Sequence, residues 1–92
     1  MSQLPSLFCL GQLVITVNAK DQLDPDDVLA CLTRHSQGDW GDLSEEDRQE
    51  NERSLNHGFR LLSVYNDRDG TKLWIITEAD RSSTCVLLPE DY

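Results

Sequence analysis

Several things are scarce in this chain, and each scarcity removes a class of function. It has three cysteines in 92 residues, Cys9, Cys31 and Cys85. An odd, dispersed set without a CxxC pair argues against a disulfide framework or a zinc knuckle. Cys31 and Cys85 have apolar neighbours and are expected as small core residues. No apolar run approaches the ~18 residues that a membrane span needs, so no membrane association is expected. The stretch Met1–Leu10 is mildly apolar, lacks a basic n-region and is interrupted by Pro5. It does not read as a secretion signal, and the expected location is cytoplasmic. Basic residues are few, 8 Lys and Arg against 17 Asp and Glu, giving a net charge of −9. Binding to DNA depends on Lys and Arg neutralising phosphates, so direct contact with nucleic acid is not expected. The two histidines are not at metal-ligand spacing, and there is neither a GxSxG nucleophile turn nor a glycine-rich phosphate loop. No metal and no cofactor is expected.

What is present is enough for one domain, 1–92, with residues 1–8 as a candidate disordered tail. Apolar residues make up 38% and charged residues 27%, a globular profile. The charge is uneven. Residues 1–58 hold 11 acids and 4 bases, while Asp39 to Glu52 alone holds seven acids and one base.

Leu10 to Val17 alternates as a strand, and Asn18–Leu23 follows as a single helical turn. Asp24 then caps a helix with Pro25 at its first position and Asp26 and Asp27 in its first turn. Val28, Leu29, Leu32 and His35 share one face, and Gly38 ends it. Ser44 caps a second helix, with Glu45, Glu46 and Asp47 in its first turn and Gly58 as terminator. From Glu45 to His57 only Leu55 is apolar, so this helix carries polar groups nearly all round. From Phe59 the period becomes 2: strands at Arg60–Tyr65, Lys72–Thr77 and Thr84–Leu88, the first two joined by the Asp67–Gly70 turn. The fold class is therefore α+β: an N-terminal strand, two to three helices, then a three-stranded antiparallel meander covered by the helices on one face.

Three constellations could carry function. His35 and Asp39, in His35-Ser36-Gln37-Gly38-Asp39-Trp40-Gly41, could form a base and its orienting group or two metal ligands, or the segment could be a helix stop with Trp40 plugging the core. Glu78, Asp80 and Arg81, in Thr77–Thr84, could hold a polar ligand, or they could satisfy their own hairpin loop. The acidic run Asp39, Asp42, Glu45, Glu46, Asp47, Glu50 and Glu52 could be a solvated helix face, or it could bind a protein with a basic surface. Asn51 lies on the stripe with Asp47 and Leu55. Its amide needs partners, expected near Trp40 or the Thr77–Arg81 loop.

The segments His35–Gly41, Arg60–Tyr65 and above all Trp74–Tyr92 resemble a family of small "plasmid-related" proteins of bacterial plasmids, phages and integrated elements. The likeness runs from Leu10 onward and is weakest at Asn18–Asp24. Some members are labelled type I restriction subunit M, although 92 residues leave no room for a methyltransferase fold. The family carries no established activity, so the resemblance implies context and no residue roles. That context suggests a non-enzymatic acidic accessory protein, monomer or homodimer, that binds and inhibits a restriction or CRISPR complex of the host. Two other readings remain open. One is a small enzyme with a site of His35, Asp39, Glu78, Asp80 and Arg81; the other is an antitoxin-like regulatory partner acting through an exposed sheet edge.

Overall fold

The computed structural model describes residues 6–92. Strand β1 is Gln12–Ile15, followed by helices α1 (Val17–Gln22), α2 (Pro25–Ser36) and α3 (Glu45–His57). Strands β2 (Leu61–Asn66), β3 (Lys72–Thr77) and β4 (Ser83–Leu87) come next, and a 3-10 turn at Pro89–Asp91 closes the chain. The class is α+β, with three helices against a four-stranded mixed sheet. β2, β3 and β4 form the antiparallel meander. β1 joins it, parallel to β4, so the order is β1-β4-β3-β2.

Local chemistry sets the helix ends. The Asp24 carboxylate accepts from the Asp26 N–H at 2.9 Å, ahead of Pro25. The Ser44 hydroxyl accepts from the Asp47 N–H, and Gly58 adopts a left-handed φ of 74° that a side chain would resist. α1 is capped by Thr16, whose hydroxyl accepts from the Ala19 N–H at 3.1 Å. Asn18, expected to start that turn, instead donates to Asp91 and accepts from Gln22.

The core lies between α1, α2 and the inner face of the sheet. Ala19, Leu23, Cys31 and Leu32 pack on Tyr65, Leu73, Ile75, Val86 and Leu88. Each large aliphatic side chain buried there contributes roughly 1.5–3 kcal/mol. Cys31 takes the core role expected of it; Cys85 is only half-buried, on the opposite face. On that face Ile76 and Leu87 are also buried, and Tyr92 packs edge-on against Trp74.

Residues 1–5 of the expected tail lie outside the described residues. Leu7 and Phe8 do not behave as tail: the Leu7 N–H donates to the Ser36 carbonyl at 2.8 Å, and the Phe8 ring packs on His35 and Trp40.

Candidate functional site

His35 is the most buried ionisable group of the three constellations, with no exposed surface at all. Helix periodicity points it inward from α2, where it meets hydroxyls on the inner face of the sheet. Its Nδ1 lies 2.5 Å from Ser63 Oγ and its Nε2 2.9 Å from Thr77 Oγ1. Thr77 Oγ1 lies 2.7 Å from Thr84 Oγ1, and the Thr84 hydroxyl donates to the Leu10 carbonyl at 2.7 Å. A carbonyl can only accept, so Thr84 donates to Leu10, Thr77 to Thr84 and His35 Nε2–H to Thr77. Burial, with the Arg81 charge nearby, holds the imidazole pKa down at about 4. Near pH 7 the ring is therefore the neutral Nε2–H tautomer, which leaves Nδ1 to accept from the Ser63 hydroxyl. The network is closed and fully satisfied, which suits it to joining α2 to β2, β3 and β4.

Sequence alone names Thr77 and Thr84 only as the bounds of a loop segment and Ser63 not at all. The available signal is that all three fall on the same strand face as Leu61 and Ile75, and hydroxyls on a core face must find polar partners there.

The two polar loops do approach each other, through Phe8. Its ring stands edge-on to His35 at 5.3 Å and stacks on Trp40 at 6.2 Å, and the Arg81 guanidinium lies 5.7 Å from its centre. Arg81, at a strained φ of 62°, spends its donors on carbonyls of Ser54, Phe59, Glu78 and Ala79, capping the negative end of α3. Trp40 is buried and donates its indole N–H to Glu52 at 2.9 Å. Glu78 and Asp80 turn away: Glu78 pairs with Arg60 at 3.3 Å, and Asp80 accepts from the Ser82 N–H and hydroxyl. His35 and Asp39 do not form a pair. The Asp39 carboxylate meets Arg34 at 2.7 Å, which holds its pKa below the usual value, and its carbonyl accepts from Tyr65.

Asn51 pairs elsewhere than expected. Its amide donates to the Leu62 carbonyl at 2.5 Å and accepts from the Leu62 N–H at 3.2 Å. Like a short piece of strand, it satisfies the outer edge of β2. The next outward-facing residue on that edge is Val64, which bonds the Trp40 carbonyl and the Asp42 N–H. Gly41 permits this approach, since a Cβ there would overlap the Val64 carbonyl.

No family model, curated protein or solved structure matches the chain. Among the described residues, no helix is long and apolar enough to cross a membrane, and no three His, Cys, Asp or Glu side chains are grouped to hold a metal.

All seven carboxylate residues of the acidic run are exposed, and the structure divides them. Asp39 and Glu50 are paired with Arg34 and Arg53, and Glu52 is held by Trp40. Asp42, Glu45, Glu46 and Asp47 have no ion-pair partner among the described residues. They crowd the N-terminal end of α3, which the helix dipole favours for negative charge. The nearby Arg48 donates to the Gly41 carbonyl, and Arg60 and Arg68 are occupied by Glu78 and by Asp24 and Asp27.

Proposed function

We propose that the protein is a non-enzymatic binder of the mobile-element type, placing its α3 carboxylates in a basic groove of a host restriction or CRISPR complex. The observation that carries this reading is the display of Asp42, Glu45, Glu46 and Asp47 together at one exposed helix end, where the one neighbouring arginine among the described residues, Arg48, bonds the Gly41 carbonyl and pairs with none of them. Carboxylates grouped at such an end can stand where phosphates of nucleic acid would sit, and complementary charge speeds the encounter. The other polar candidates support the same reading by their commitments. His35 is sealed in the core, Arg81 caps a helix, Glu78 has an arginine, and Asp80 serves its own loop.

The test is protection of incoming plasmid or phage DNA in cells carrying one defence system at a time. Expression of the wild-type chain is expected to raise the yield of unmodified DNA against at least one system. The triple variant Asp42→Lys, Glu45→Lys, Glu46→Lys should lose that protection while keeping its circular dichroism spectrum. With the target purified, the variant's association rate should fall at least tenfold, and wild-type affinity should drop steeply with salt. Protection that survives charge reversal against every responsive system would end the reading.

A further inference from the structure

β1 and β2 are the two edges of one sheet, and the chain treats them oppositely. The β2 edge is sealed by Asn51 at Leu62 and by the Trp40–Asp42 segment at Val64. On β1, the Gln12 and Thr16 N–H groups donate to Ser82 and Val86 of the β4 side. Strand alternation then turns the N–H and C=O groups of Leu13 and Ile15 to the open side. Among the described residues nothing bonds them. Nor does the strand carry the usual protection of an edge, such as lysine, proline or an inward charge. Residues 1–19 contain no Asp, Glu, Lys or Arg.

The exposed apolar side chains gather at the same place. Leu13, Val14 and Ile15 of β1 are 55%, 45% and 39% exposed, with Val17 at 75% just beyond and Leu29 at 65% on the bordering flank of α2. Between β1 and α2 runs a groove of about 210 Å³ lined on one side by Leu10, Leu13, Leu29 and Leu32 and on the other by Ser6 and polar residues at the end of α2.

We propose that β1 pairs with β1 of a second copy of this chain, antiparallel about a two-fold axis through Val14, to give one continuous eight-stranded sheet. The occupant this edge fits is its own copy, which brings an extended strand with the same open N–H and C=O groups and the same apolar side chains. At −9, two copies repel across surfaces rich in carboxylates, and β1 itself carries no ionised side chain, so the strands can meet there without setting charge against charge. A two-fold interface must also be self-complementary, and this pairing is. With the axis at Val14, Leu13 lies opposite the partner's Ile15 and exchanges both backbone bonds with it. Val14 meets the partner's Val14 on the outer face. Both copies of α2 fall on the same face of the joined sheet, so each Leu29 approaches the apolar seam. α3 sits at the far edge and stays exposed in both copies. The dimer therefore stands or falls independently of the acidic-face reading.

Sedimentation of the full chain over a hundredfold range of concentration tests the proposal, with backbone amide exchange at both ends of that range. The expected result is a concentration-dependent rise to twice the 10.5 kDa chain mass. Leu13→Lys and Leu29→Glu replace exposed side chains, so each should keep the native circular dichroism spectrum while weakening association at least tenfold. In the wild type, the Leu13 and Ile15 amides should exchange slowly when concentrated and rapidly when dilute. That readout holds even if a variant fails to fold. A wild-type chain that stays monomeric at the highest concentration, folded variants that associate as tightly as wild type, or Leu13 and Ile15 amides indifferent to concentration would each overturn it.

Discussion

His35 makes the folded state sensitive to mild acid, and the sign follows from its burial. An exposed imidazole has a pKa near 6.5, whereas in the folded chain it falls to about 4. Between those values the unfolded chain binds a proton that the folded one refuses, so stability is complete above pH 6.5 and is lost as pH falls toward 4. The loss is about 3 kcal/mol at most, since a tenfold difference in proton affinity is worth about 1.4 kcal/mol. Asp27, Asp39 and Asp91 act in a lower window. Hydrogen bonds from Arg68, Arg34 and Thr16 respectively hold their pKa values below 3.8, so their contributions disappear only as pH falls through those lowered values. Urea midpoints measured from pH 7 to 4 should therefore decline for the wild type, and the decline should be flatter for His35→Gln. Nitrogen shifts of the imidazole should report the Nε2–H tautomer down to about pH 5. A slope unchanged by the substitution would assign the acid sensitivity to another group.

α3 is a helix held by polar tethers more than by an apolar face. Its buried side chains are Asn51 and Ser54, and its other attachments are Glu52 to Trp40, Arg48 to the Gly41 carbonyl, and Arg81 at its C-terminal end. Asn51→Ala would leave both the N–H and the C=O of Leu62 without a partner at a half-buried edge. The expected cost is about 1–3 kcal/mol, against less than about 0.5 kcal/mol for the exposed Asn56→Ala control. Urea unfolding of both variants checks it, and equal costs would mean that Asn51 does not seal the strand. The same element shows what sequence can and cannot disclose. Ser44 and Gly58 are legible as the ends of α3, and Asp24-Pro25 as the start of α2, because a cap is made by residues within one turn. The partner of Asn51 is eleven residues away on a strand edge, and the composition of α3 says only that some partner must exist. β1 is legible as a strand, but its parallel seat on β4 joins residues some seventy positions apart, and nothing local specifies that. Phe8 is lost for a similar reason: its value lies in what it touches, His35, Trp40 and Arg81, all distant in the chain. Of the acidic run, position predicts exposure, while the pairing that removes Asp39, Glu50 and Glu52 from the free surface depends on where Arg34, Arg53 and Trp40 come to rest.

At the scale of the whole molecule, two electrostatic effects oppose each other, and their balance can be measured. The ion pairs of Arg34, Arg53, Arg60 and Arg68 are solvent-exposed to varying degrees, and such pairs contribute roughly 0–1 kcal/mol each. Arg48 and Arg81 spend their hydrogen bonds on carbonyls and neutralise no particular carboxylate. Against this stand 17 carboxylates and a net charge of −9, whose mutual repulsion is greater in the compact state than in the extended one. Salt screens both effects over a Debye length of about 10 Å at 0.1 M. The paired groups lie within a few ångströms of each other, well inside that length, whereas many of the repelling carboxylates are separated by distances nearer to it. Repulsion should therefore be screened more completely than attraction. Raising sodium chloride from about 0.01 M, where the Debye length is about 30 Å, to about 0.15 M is expected to stabilise the folded chain at pH 7. The measurement is the urea midpoint in dilute protein, so that association does not contribute. A midpoint that falls with salt would show that the arginine pairs outweigh the repulsion. The carboxylates at the end of α3 would then be better compensated than their spacing suggests, with less unbalanced field to offer a basic partner.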